Sequence, residues 1–179
     1  MKALITAASA LALAALLPAA ASAQSIPNPT FYGTLGYAFS DLDHVDLGAI
    51  QGRLGARFGQ YVGVEGEFSG GVQDDKVNVG GTDVKVKLDS QEAIYGVGFL
   101  PVSPNLDLLA RVGYGHTEGT GSVAGLSTKV QGDSWNYGVG GQYTFDGKNG
   151  VRVDYTREEF TKDSAGHADV YSVAYTRRF

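Results

Sequence analysis

Eight ionisable residues attract notice first: Arg53, Arg57, Glu65, Glu67, Glu92, Arg111, Arg152 and Asp154. Each falls in a stretch where polar and apolar residues alternate, on the side away from the apolar neighbours. Four are cationic and four anionic, so together they balance. Charges of this kind, enclosed by a fold, must pair and share hydrogen bonds to offset the loss of water. Alternatively they line a path for ions or polar solutes. If the first short turn centres on Gly59, antiparallel register sets Arg53 opposite Glu65 and Gln51 opposite Glu67. Which chemistry applies depends on how many strands surround the charges.

Other reactive types are present without a catalytic pattern. The histidines, His44, His116 and His167, fall in or near predicted loops, and none has the spacing of a Ser-His-acid hydrolase, which is in any case recognised by geometry. The acidic loop Asp41-Leu42-Asp43-His44-Val45-Asp46 lacks the ligand spacing of a calcium-binding EF loop. Gly113-Tyr114-Gly115 lies inside a strand pattern, where glycine marks a bend or close packing and not a phosphate cradle. The chain has no Cys, and no His cluster has zinc-site spacing. No catalytic residue, cofactor or metal is expected. A net charge of −5, with no basic stripe, argues against a nucleic-acid partner.

The elements that position the eight charges are strands. Eight segments place apolar residues at every second position: 30–39, 47–58, 61–72, 84–100, 106–117, 130–145, 150–160 and 169–179. In the second, Ile50, Leu54 and Phe58 oppose Gln51, Arg53 and Arg57. In the third, Val62, Val64 and Phe68 oppose Glu65 and Glu67. The fourth is assigned Ala93, Tyr95, Val97 and Phe99 on the apolar side, with Glu92, Ile94, Gly96 and Gly98 opposite. The fifth, seventh and eighth oppose Val112 to Arg111, Val153 to Arg152 and Asp154, and Tyr171, Val173 and Tyr175 to Ser172 and Ala174.

Connections alternate in length. Short ones fall at Gly59-Gln60, at 102–105 and at 146–150 (Asp-Gly-Lys-Asn-Gly, a strong turn signal). Long polar ones fall at 40–46, 73–85, 119–129 and 161–168. Segments of about 9–11 residues or more suit tilted strands crossing a bilayer. Short turns at one end and long loops at the other suit an outer-membrane barrel. The start of the chain agrees: Met1-Lys2, an apolar run to Leu17, Pro18 and Ala21-Ser22-Ala23 read as a secretory signal cleaved between Ala23 and Gln24. Residues 24–179 then form one domain, and all 26 glycines lie in it. Eight strands enclose a space that side chains fill, so an interior ion-pair network is expected in place of an open channel.

The ordered combination of a signal peptide, eight amphipathic strands, Tyr95-Gly96-Val97-Gly98-Phe99 before a short turn, and a terminal aromatic strand resembles the small outer-membrane β-barrel family. That family includes the outer membrane protein A transmembrane domain, the OmpX-like proteins and the neisserial opacity proteins. The resemblance implies an all-β fold, an eight-stranded antiparallel transmembrane up-and-down β-barrel, in the outer membrane of a Gram-negative bacterium. It implies that Tyr171, Val173, Tyr175 and the C-terminal Phe179 form a barrel-assembly signal, with Arg177 departing from the usual apolar parity. Implied partners are outer-membrane lipid and lipopolysaccharide, the assembly machinery and periplasmic chaperones, and a surface ligand on the loops of a monomer. The implied role is structural or surface-interactive, without catalysis. A low-conductance porin for small solutes is the main alternative, and a lipid A-modifying enzyme a lesser one.

Overall fold

The computed structural model describes residues 28–42, 45–73, 75–79, 82–123, 126–161 and 166–179. The expected cleavage site at Ala23 and Gln24, the loop residues Asp43 and His44, and the tip at Gly80-Gly81 lie outside them. Among the described residues nine strands are formed: β1 (Thr30–Leu42), β2 (Val45–Phe58), β3 (Val62–Gln73), β4 (Asp75–Val79), β5 (Thr82–Ser103), β6 (Leu106–Val123), β7 (Leu126–Thr144), β8 (Asn149–Phe160) and β9 (His167–Arg178). Every pairing is antiparallel. β1 pairs with both β2 and β9, and β3 pairs with β5, so the sheet closes. β4 pairs with β5 alone and prolongs the line of β3, which leaves eight staves in the closed barrel. Closure leaves the eight staves of the wall paired on both sides, the condition for a sheet to sit in lipid.

The residues choose their faces by where each solvent lies. Phe31 (56 % exposed), Val64 (39 %), Val112 (58 %) and Val153 (55 %) point outward, as do Leu54, Val139, Val173 and Tyr175. Arg53, Glu65, Glu67, Arg111, Arg152 and Asp154 point into the lumen and are buried. A water-soluble barrel would reverse this order. Outward aromatic rings gather at two levels. Tyr143 and Phe145 meet edge-on with centroids 5.7 Å apart at the short-turn end. Tyr114 with Trp135, and Tyr155 with Tyr171, each 5.3 Å apart, lie toward the hairpin end. Such girdles mark the two faces of a bilayer.

Three expectations need correction. The β2–β3 register sets Arg53 opposite Glu67 and Gly55 opposite Glu65, because the turn takes in Gly59, Gln60 and Tyr61 and is not centred on Gly59. Gly59 adopts a φ of 66°, which a Cβ would oppose. The stretches 40–46, 73–85 and 119–129, expected as loops, are largely ladder among the described residues, since β1 and β2 pair as far as Leu42 and Val45, β4 and β5 over Asp75–Val86, and β6 and β7 over Gly119–Val130. Accordingly β5, β6 and β7 run 22, 18 and 19 residues, well beyond what the hydrocarbon requires.

The third correction concerns β5. Tyr95, Val97 and Phe99 face the lumen and are buried, while Ile94 and Leu100 face out. Both faces of this strand are apolar, so polarity could not choose between them. Volume does: the lumen takes the large side chains, and Gly96 and Gly98 leave outward gaps that acyl chains can fill. Glu92, on the parity of Ile94, is therefore exposed on the outer wall opposite His116 and takes no part in the interior network.

Candidate functional site

The lumen is filled in layers. At the short-turn end Asp107 accepts hydrogen bonds from Arg57 Nη1 at 2.8 Å and Arg178 Nη2 at 3.1 Å. The Arg57 guanidinium lies 4.3 Å from the centroid of the Phe99 ring. Above it Tyr32, Tyr95, Val97, Phe99 and Leu109 form a small apolar layer. Tyr32 and Phe99 meet edge-on, with centroids 6.2 Å apart.

The middle layer is ionic. Arg53 Nε donates to Glu67 Oε2 and Arg53 Nη1 to Asp154 Oδ2, each at 2.7 Å, while its Nη2 reaches Gln51 and Ser172. Arg152 donates to both oxygens of Glu65 and, through Nε, to Asp154 Oδ1 at 2.9 Å. Arg111 Nη1 donates to Glu67 Oε2 at 2.8 Å, and its Nε and Nη2 both reach Thr156 Oγ1. The Arg111 guanidinium stacks 4.2 Å from the centre of the Tyr95 ring. Tyr32 donates to Glu65 at 2.6 Å, and Tyr95 donates to Glu67 at 3.3 Å while accepting from Asn136. Three arginines and three carboxylates thus neutralise one another across the lumen. Forked guanidinium contacts of this kind fix geometry as well as charge.

Of the eight residues singled out by the sequence, six form this cage, Arg57 sits below it with Asp107, and Glu92 is outside the barrel. Among the described residues Asp107, Arg178 and Glu158 join these charges in the interior. Glu158 extends the alternation Arg152, Asp154, Thr156, and Asp107 that of Leu109 and Arg111, so both were available from parity. The consecutive charges Arg157-Glu158-Glu159 gave no polar contrast to draw attention to them.

Nearer the hairpin end, Leu47, Ala49 and Leu88 cluster inside the barrel and cap the lumen. Outside, His116 Nδ1 lies 2.7 Å from Asp133 Oδ1, with Glu118 4.0 Å from the other ring nitrogen. Among the described residues no hydroxyl hydrogen-bonds this histidine, and no three acidic, His or Cys side chains converge as metal ligands. The four residues proposed for the assembly signal, Tyr171, Val173, Tyr175 and Phe179, share the outward face of the last strand and its end. Phe179 N donates to Phe31 O at 2.9 Å, tying the C-terminus to β1.

Comparison with known proteins fits these observations. The family profile of the outer membrane protein beta-barrel domain matches residues 9–179. No curated protein sequence matches. Among solved structures, Ail of Yersinia pestis is 18% identical, with a TM-score of 0.62, over 85% of this chain and 99% of its own. OprG of Pseudomonas aeruginosa is 12% identical with a TM-score of 0.63, over 88% and 99%. Neisserial surface protein A is 8% identical with a TM-score of 0.60, over 87% and 100%. At such identities the likeness is one of fold.

Proposed function

The chain belongs to the outer membrane protein β-barrel family, and on that premise we propose that it is a plugged, non-conducting barrel that serves the envelope through its outer wall and raised hairpins. The observation that carries this reading is the cage of Arg53, Arg111 and Arg152 with Glu65, Glu67 and Asp154, which crosses the lumen from β2 to β8. Eight staves leave a core that side chains fill, and here they fill it with mutually bonded charges. What remains for interaction is the exterior. The short turns face the periplasm in this reading, and β5, β6 and β7 stand above the outer leaflet, where their ladders present a broad polar surface.

Ail is known in complex with the heparin analogue sucrose octasulfate. A polyanion suits this chain poorly. At the hairpin end Asp41, Asp89, Glu92, Glu118, Asp133, Glu159 and Asp169 outnumber Lys87, Lys129 and Arg157. The surface therefore favours cationic or neutral polar partners, or lipopolysaccharide phosphates bridged by divalent ions.

Purified protein reconstituted in planar bilayers should show no steady single-channel conductance at moderate voltage. Persistent openings from wild-type protein would overturn the plugged reading. In cells, loss of the protein should increase sensitivity to detergent or bile salt without slowing uptake of small solutes.

A further inference from the structure

One interior acid among the described residues has no cationic partner. Glu158 is 4 % exposed, and its one hydrogen bond comes from Gln91 Nε2 at 2.6 Å. Among the described residues no Lys or Arg nitrogen lies within 4.0 Å of its carboxylate. The cage below has no cation to lend: its three arginines are matched by three acids, and Arg111 turns two of its nitrogens to Thr156. A buried unpaired carboxylate is costly and must be met by a cation or neutralised by a proton.

The surroundings supply oxygen and no nitrogen cation. Gln91 stands in register between Ser69 on β3 and Thr117 on β6, all three inward on one row. Side chains directly opposite on paired strands have Cβ atoms about 5 Å apart. Ser69 is 1 % exposed, and neither its Oγ nor the shielded Thr117 Oγ1 has a hydrogen-bond partner among the described residues. Two unpartnered hydroxyls thus flank the amide that orients the carboxylate. The cage lies below this row, and the cluster of Leu47, Ala49 and Leu88 lies above it.

We propose that Glu158 and the two unpartnered hydroxyls form a binding site for one alkali cation of sodium or potassium size. The Glu158 carboxylate supplies the charge, Ser69 Oγ and Thr117 Oγ1 supply neutral oxygens, and Gln91 holds the carboxylate in place. Hard oxygen donors suit a hard cation, and a single carboxylate matches a single charge, whereas calcium sites assemble more oxygen ligands around more negative charge. The cation makes the lumen neutral from the cage to the cap.

The test uses full-length mature protein folded in detergent micelles at pH 8. Unfolding in urea is followed with NaCl, KCl or N-methylglucamine chloride at equal ionic strength, the last being a bulky organic cation in place of a bare metal ion. Sodium or potassium should raise the folded-to-unfolded ratio along a one-site saturation curve. The gain reaches about tenfold when the salt is about ten times its dissociation constant. Glu158→Gln should abolish that dependence, while Glu118→Gln, an exposed control, should retain it. Should Glu158→Gln fail to fold, Ser69→Ala serves instead. It removes a hydroxyl that bonds no protein atom, so a purely structural serine would leave the salt curve in place, whereas a ligand serine moves it to higher sodium. Equal curves in sodium and N-methylglucamine would overturn the proposal. So would stability that follows pH alone and is mimicked by Glu158→Gln, which would mean that a proton neutralises the site.

Discussion

Arg152→Met is the most direct probe of the cage. Arg152 is fully buried and holds both oxygens of Glu65 as well as Asp154. Without it Glu65 retains the Tyr32 hydroxyl at 2.6 Å and Arg111 at 3.9 Å, while Asp154 retains Arg53 at 2.7 Å. One buried carboxylate therefore loses its principal cation, and a second loses one of two. Removing one partner of a buried pair costs about 3–5 kcal/mol, which would cut the folded-to-unfolded ratio by about two to three and a half orders of magnitude at about 1.4 kcal/mol per tenfold. The methionine fills similar length without charge, so lost volume contributes little. Adding Glu65→Gln restores neutrality, and the double variant should be more stable than the sum of the single effects by about 2 kcal/mol. Equilibrium urea unfolding in lipid vesicles, read by the fluorescence of Trp135, the only tryptophan, gives all four corners of the cycle. Loss of less than about 0.5 kcal/mol in Arg152→Met, the range of ordinary surface changes, would refute the view that these charges hold the barrel together.

Further outcomes follow from particular positions. A Cβ at Gly36 would meet the carbonyl oxygen of Val173 at 2.2 Å, so Gly36→Ala should cost about 3 kcal/mol in the same unfolding assay. Gly66 faces outward with nothing within 4 Å of such an atom, and Gly66→Ala should stabilise by about 0.5 kcal/mol. The Asp146 carboxylate in the β7–β8 turn accepts from the backbone of Asn149, its side chain and the backbone of Lys148, which together lower its pKa to about 2. A depressed folded value means that the turn's stabilisation is complete above the ordinary value of 3.8 and fades as pH falls toward 2. Carboxyl-carbon NMR should place its midpoint near 2, and a midpoint near 4 would contradict the hydrogen bonds. Deleting Phe179 should slow assembly in cells, seen as less of the compact, heat-modifiable band, while the molecules that do fold unfold at nearly unchanged urea.

What could be read from the sequence depended on contrast between faces. Around Arg53, Glu65, Arg111 and Arg152 the neighbouring parity carries Leu54, Val64, Val112 and Val153, so only one side could face lipid and the inward set was fixed. On β5 both parities are apolar, and Glu92 followed the wrong one, since volume and not polarity decides there. Register across the first turn depended on whether Tyr61 belonged to the turn or to β3. Residue types carry no signal for that two-residue difference, although it exchanges Glu65 for Glu67 as the residue opposite Arg53. Cross-lumen partners were beyond reach altogether: Arg53 meets Asp154 and Arg152 meets Glu65 only because the sheet curls on itself.

The cage is divided unevenly along the chain. β2 and β3 bring Arg53, Glu65 and Glu67, an excess of one anion, and β6 and β8 bring Arg111, Arg152 and Asp154, an excess of one cation. Neither half of the molecule can settle its charge alone, and each is the other's counterion. Insertion is thereby made concerted, because a half-built wall leaves an unmatched ion facing fatty acids until its opposite number arrives. Fragments divided at the β5–β6 turn should consequently find each other in micelles and restore the compact species, and Arg152→Met, which removes the excess cation of the second half, should leave that mutual recognition weaker.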